Sequence, residues 1–278
     1  HFVPRNPVFV HSIQNPLRSR LSIVMSPNPP RQSPPEDWYE DAFGELYSVI
    51  YAHRNVEAAA PEALFAAQVL DLKPAERVLD LCCGNGRHLV HLARITRHAT
   101  GLDYSRPLLQ QARRALGGRA QLVRADMRAV PFVRAFDAVT NFFTSFGYFQ
   151  NDSENMQVIT ETARALKPGG RIFIDYVNPA FVRDTLDPHT ARRAGDFEIE
   201  ECRWIDDAAN RINKSTRISR NGVLVQELAE SVRLYEKDEL LSFLDRAGLT
   251  CDATFGNYTA APIGPGEPRM IVKATKCR

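Results

Sequence analysis

Four polar residues recur at comparable places in the first half of the chain: Asp80, Asp103, Asp126 and Asn141. Each closes, or nearly closes, a short apolar run of strand length. Gly84 and Gly86 follow the first run at once, and an apolar stripe at helical spacing resumes at Leu89. A strand, a glycine turn and a helix in that order bring backbone close to a ligand and point a helix N-terminus at it. Asp103 lies 19 residues after Gly84. A carboxylate there can accept two hydrogen bonds from ribose hydroxyls, each worth ~1.5–3 kcal/mol because the acceptor is charged. Any one of the four alone reads as a solvated strand-end side chain. Several in register mark a site.

The ligand is narrowed by what the turn lacks. A dinucleotide fingerprint needs a third glycine, and Leu89 stands in its place. No G-x-x-x-x-G-K-[ST] cradle for a triphosphate is present. What remains is a phosphate-free nucleoside with a ribose. Its positive, carboxylate-bearing tail would rest on the glycine turn near Asp80. The cysteines are Cys82, Cys83, Cys202, Cys251 and Cys277, with no C-x-x-C pair. No metal site is expected, and the thiols read as small apolar residues in a reducing cytoplasm.

These residues need elements to hold them. Strands are expected at Val78–Leu81, Ala99–Tyr104, Ala120–Asp126, Phe136–Phe142 and Arg171–Tyr176. Helices are expected between them. Ser105 is a cap candidate with Pro107 in the first turn, and Ser153 a second cap. Alternation of this kind implies parallel pairing and a doubly wound sheet, whose ligands bind at the carboxyl ends of the strands. Ahead of it, Phe43, Tyr47 and Tyr51 are four apart on an expected helix over 37–51. That helix either packs on the core or forms a lid, with Tyr47, Tyr51, His53 or Arg54 reaching in. Long charged alternating segments and Asn221-Gly222 predict an antiparallel insertion over 195–235, before a helix at Lys237–Ala247 and two last strands.

Charge and composition exclude other classes. The net charge is +2, but Arg5, Arg18, Arg20 and Arg31 lie in the acid-free first 35 residues. The remainder is slightly acidic, which gives no nucleic-acid footprint. No apolar run approaches the ~20 residues of a membrane span. Residues 1–35 read as a flexible proline-rich tail or an upstream extension, with Met25 a plausible true start. Residues 36–278 read as one domain.

VLDLCCGNGRH, LDYS, ADMRAVPF and RALKPGGRIFID together resemble the motifs of class I (Rossmann-like) S-adenosylmethionine-dependent methyltransferases. The resemblance is nearest to a subgroup of small bacterial methyltransferases with an aromatic N-terminal helix. It implies a seven-stranded, mainly parallel sheet with the antiparallel insertion before the last helix. It implies S-adenosylmethionine as cofactor and S-adenosylhomocysteine as product. Carried over, Asp80 lies near the methionine moiety, and Gly84 and Gly86 let it approach the backbone. Asp103 and its neighbour Tyr104 hold the ribose. Asp126 and Met127 take the adenine, and Asn141 and Phe142 lie beside the methionine and the acceptor. Cys82 departs from the pattern, because a glycine is usual there.

The acceptor side is less marked. Tyr47, Tyr51, Arg54, Phe146 and Tyr148 are candidates for it. Tyr148 and Asp175 are candidate bases, while His88 reads first as an early polar or cap residue of its helix. NFFT stands where adenine- and glutamine-directed methylases carry Asn/Asp-Pro-Pro-Tyr. A small-molecule acceptor is expected, because the only additions to the core are a lid helix and an antiparallel insertion. An RNA or protein methyltransferase would need a basic stripe over Arg203, Arg211, Lys214, Arg217, Arg220 and Arg233, which nearby acids weaken. A binding protein without turnover would keep the same nucleoside residues. Oligomeric state has no signature here.

Overall fold

The computed structural model describes residues 34–277. The expected tail, Met25 included, lies outside the described residues except for Pro34 and Pro35. Pro34 is buried.

The central strands form where the apolar runs predicted them. β1 (Arg77–Leu81) is buried along its length after Arg77. It lies between β2 (His98–Asp103) and β4 (Phe136–Asn141), parallel to both, with Asp80 opposite Gly101 and Thr140. Gly101 is required there: a Cβ would meet Leu89 at 2.5 Å and Cys83 at 2.7 Å. With β3 (Gln121–Arg124), β5 (Leu166–Val177), β10 (Leu249–Phe255) and β11 (Arg269–Lys276), the sheet runs β10-β11-β5-β4-β1-β2-β3. Only β11 pairs antiparallel, with β5 and β10. This is the expected doubly wound seven-stranded sheet. Its order reverses between β1 and β4, so a crevice opens at their carboxyl ends.

Helices α3 (Ala60–Val69), α4 (Leu89–Ile95), α5 (Arg106–Leu116), α6 (Asp152–Ala165), α7 (Pro179–Thr185) and α8 (Lys237–Arg246) flank it. Ser105 caps α5 as predicted, accepting from the N–H of Leu108 at 3.3 Å, and Gly117 ends it at φ 56°. Ser153 is not the cap of α6. That helix opens one residue earlier, at Asp152, because Asn151 is the extended residue before it. Asn155 then ties the helix start to Phe149 by bonding both its N–H and its carbonyl.

Two expectations are corrected. Residues 37–51 are not one helix but two single turns, α1 (Tyr39–Ala42) and α2 (Tyr47–Ile50), separated at Gly44. The aromatic ladder survives the break: Phe43, Tyr47 and Tyr51 follow one another at ring distances of 5.7 and 4.7 Å. Tertiary packing of these rings outweighs local helix propensity. The antiparallel sheet also begins before Gly195, with β6 (His189–Ala194) ahead of β7 (Phe197–Asp206), β8 (Arg211–Arg220) and β9 (Val223–Arg233). Ile199, Ile218 and Leu228 of this sheet pack on Ile50 and Tyr51.

The basic stripe does not form a surface. Arg203, Arg211 and Lys214 are 8%, 4% and 3% exposed. Arg211 instead clamps the sheet to the loop after β4, donating to the carbonyls of Gly147, Tyr148 and Phe149.

Candidate active site

One cavity opens at the carboxyl ends of β1, β2 and β4, with about 1210 Å3 of space counted out to its mouth. The glycine turn and strand ends form its floor. Tyr39, Phe43, Tyr47, Tyr51, Arg54 and the β9 residues Glu230 and Val232 form its roof.

The floor fits a phosphate-free nucleoside. Asp103 Oδ2 accepts the N–H of Gly84 at 2.7 Å, and Oδ1 accepts that of Ser105 at 2.8 Å. Each oxygen keeps a lone pair for a ribose hydroxyl. Burial raises the Asp103 pKa against the pull of those backbone N–H groups. Gly84 sits at φ 55°, and a Cβ there would find only Leu108 at 3.8 Å, so a ligand can lie against the turn. Tyr104, Asp126 and Met127 continue the wall. Arg128 engages both Asp126 oxygens, at 2.6–3.1 Å, and outweighs burial to hold its pKa low. Cys82 also lines the wall, at φ 60°. The left-handed backbone is why a glycine is usual at this point. Its Sγ lies 3.4 Å from the Met127 sulfur.

Five predicted site residues do not line the cavity. Gly86 packs against α5, where a Cβ would sit 3.0 Å from that of Ala112; it brings helices together and exposes no backbone to ligand. Asp80 is buried beneath the turn, bound by Thr140 at 3.0 Å through Oδ1, with Oδ2 unpartnered. Burial raises its pKa to about 7. Asn141 is buried beside it, spanning Leu81 and Ser145 with Nδ2 and leaving Oδ1 without a partner. These two orphaned oxygens lie next to the floor and suit a polar, cationic tail above them. Phe146 turns into the core, against Tyr176 and Tyr235.

Asp175 is the fifth, and its role is structural. Its carboxylate takes the N–H of Phe143 at 2.8 Å, Tyr258 Oη at 2.5 Å and Arg269 Nε at 2.5 Å. Its carbonyl takes the N–H of Thr144 at 2.8 Å. Phe143 and Thr144 stand at φ 60° and 63°, strained backbone of the kind that gathers at ligand sites. Asp175 braces that tip and has no reach into the cavity.

Tyr148 does line the cavity, stacked on Phe43 at 5.8 Å. Burial pushes its phenol well above the ordinary value. Tyr51 and Arg54 line the cavity, with the Arg54 guanidinium 4.2 Å from the Tyr51 ring and 4.7 Å from that of Phe143. His53 is exposed. His88 is at the α4 cap position but is buried, not a surface group. It stacks on Phe142 at 4.0 Å and lies 2.5 Å from Glu62.

Glu230 was not foreseen. Its Oε1 accepts from Tyr51 Oη at 2.7 Å and pairs with Lys214 at 2.5 Å. A signal existed: Leu228, Glu230 and Val232 share one face of β9, so an acid interrupts a buried stripe. Glu62 is parallel. It shares the inward face of α3 with Ala63, Ala66 and Ala67.

Sheet order, glycine turn and strand-end acids form a Rossmann-like arrangement with its ligand crevice at the carboxyl ends of the strands. Residues 78–170 of this chain match the family model described as a methyltransferase domain. The chain is 33% identical over 138 residues to the dTDP-3-amino-3,4,6-trideoxy-alpha-D-glucopyranose N,N-dimethyltransferase of Streptomyces venezuelae. That match covers 49% of this chain and 58% of the relative, little more than half its length. Among solved structures, the CcbJ methyltransferase of Streptomyces caelestis superimposes with a TM-score of 0.69 at 19% identity, over 79% of this chain and 90% of that one. CalS10 of Micromonospora echinaspora, an amino pentose methyltransferase solved with S-adenosylmethionine bound, gives 0.64 at 21% identity, over 84% and 97%. At these identities the two structures establish a shared fold.

Proposed function

We propose that the protein is an S-adenosylmethionine-dependent methyltransferase that acts on a small-molecule acceptor by direct displacement. One observation carries this reading: a floor that fits a phosphate-free nucleoside and a wall of aromatic side chains share a single cavity. Residues 36–278 act as one unit in it, insertion included, because β9 supplies part of the roof. Two of the proteins it resembles are named for sugar acceptors, which supports an acceptor of similar size. No described helix is long and apolar enough to cross a membrane. We place the protein in the cytoplasm, where its free cysteines remain reduced.

The cofactor supplies an electrophilic methyl on a sulfonium. The chain supplies position. Asp103 holds the ribose and the Gly84 turn seats the tail. Asp126 and Met127 flank the base. Phe142, Phe143 and Tyr148 shape the acceptor side and exclude water. Alignment of this kind contributes up to ~7–11 kcal/mol to such reactions. The test is label transfer from methyl-labelled S-adenosylmethionine to a metabolite extract, beside calorimetry with S-adenosylhomocysteine. Binding without any labelled product would leave a cofactor-binding protein and refute the enzyme.

A further inference from the structure

His88 at the cavity floor and Glu62 buried behind it stand outside the residues assigned to the nucleoside. His88 lines the cavity with its ring flat on Phe142, 14° between planes. Its Nε2 is 2.5 Å from Glu62 Oε2, which Arg87 also binds at 3.1 Å. Glu62 is 6% exposed. Burial would raise its pKa, but His88 and Arg87 outweigh burial and bring it to about 2. The carboxylate is therefore ionised, and an ionised oxygen at that distance requires the proton on Nε2. The lone pair falls on Nδ1. Nε2 is the ring nitrogen bonded within the protein, and His88 lines the cavity, so Nδ1 is the nitrogen available to a ligand. A ring held by a carboxylate behind it has a fixed tautomer and a fixed aim.

We propose that His88, fixed by Glu62, accepts a hydrogen bond at Nδ1 from the N–H of an amine acceptor and so selects a nitrogen nucleophile that attacks in its neutral form. This rests on the methyltransferase reading of the same cavity. The groups that face the ring are Glu62, Arg87 and His91, with Arg269 behind Glu62. Burial and the Arg87 charge outweigh Glu62 and hold the His88 pKa down to about 4. Such an imidazole is too weak a base to strip a hydroxyl. A neutral amine needs no base. Its lone pair forms the N–C bond, the C–S bond breaks with its pair on sulfur, and the positive charge passes from sulfur to nitrogen. The proton stays on nitrogen until the product leaves. As that charge grows, the N–H···Nδ1 bond becomes charge-assisted, roughly twice as strong as a neutral one. The contact is thus stronger in the transition state than in the ground state, which is the condition for raising the rate.

Three measurements test this on the full chain. Nitrogen-15 spectra of protein saturated with S-adenosylhomocysteine at neutral pH should show His88 protonated on Nε2 alone; protonation on Nδ1 overturns the proposal. Label transfer into a metabolite extract should vanish when the extract is first treated with an amine-selective acetylating ester; label that survives overturns it too. His88→Ala should lower label transfer by about 50-fold with S-adenosylhomocysteine affinity kept within about twofold, and wild-type rates in that variant overturn the proposal. His88→Gln replaces it if the alanine protein does not fold. If wild-type protein fails to bind S-adenosylhomocysteine, or labels nothing, the methyltransferase reading itself falls and takes the proposal with it.

Discussion

Asp103 and Gly84 are joined by a 2.7 Å hydrogen bond from the glycine N–H to Oδ2 of the aspartate. One carboxylate therefore sets the shape of the turn after β1 and presents the groups that would hold the ribose. Asp103→Ala removes both functions. We expect S-adenosylhomocysteine affinity to drop by more than tenfold, about 1.4 kcal/mol or more. Asp103→Asn should lose less, since one acceptor oxygen persists. Calorimetry decides it, and an unchanged affinity in the alanine protein would remove Asp103 from the site.

Cys82 occupies a left-handed backbone position without being glycine. Cys82→Gly trades the half-buried thiol for relief of strain of ~1–2 kcal/mol, so urea denaturation should move by less than about 1 kcal/mol. Cys82→Val should lose about 2–3 kcal/mol, because a branched side chain fits that backbone worst. Equal stability for the two variants would contradict the strain argument.

Asp80 and His88 pull stability in opposite directions over one pH range. Burial raises Asp80 from 3.8 to about 7, so its contribution is present at low pH and is lost as pH rises through 7. His88 is depressed from 6.5 to about 4, so its contribution is present above 6.5 and is lost as pH falls toward 4. At ~1.4 kcal/mol per unit the two are on the order of 4 and 3 kcal/mol, and they largely cancel. Asp80→Asn should therefore become less stable as pH falls from 6.5 to 4. His88→Gln should become more stable over the same interval. Melting temperatures against pH read this directly, and parallel profiles in the two variants would refute it.

Arg211 should prove indispensable to the acceptor side. Its guanidinium donates to three loop carbonyls and to Ser231 from a buried position. Arg211→Lys keeps the charge but loses the fork. We expect a loss of about 3 kcal/mol, from several buried carbonyls left unpaired. Hydrogen exchange at residues 144–149 should accelerate more than exchange in β1, and uniform protection would argue against a local clamp.

Asp80, Gly86 and Asn141, expected beside the cofactor, lie behind the cavity wall, whereas Gly84, Asp103 and Asp126 line it. Those three were legible because their signals are local. A strand end, a glycine turn and a cap each lie within a few residues, and the sheet rule then brings Asp103 to Gly84. The acceptor side was harder because its partners are distant. Asp175 looked like another strand-end acid. Its engagement by Arg269, 94 residues away, is what removes it from the cavity. Phe146 and Phe142 are alike in sequence, and only packing sends one to the core and the other to the wall. Arg203, Arg211 and Lys214 looked like surface cations because buried charge pairs need a tertiary fold to bring the acids to them.

Gly84, Asp103 and Asp126 fall within residues 78–170, whereas Tyr39–Arg54 and β9, which close the cavity from above, fall outside that stretch. The two halves of the pocket are thus encoded by separate pieces of gene. A change in either outer stretch would alter the upper wall of the pocket while the Gly84, Asp103 and Asp126 floor stayed as it is.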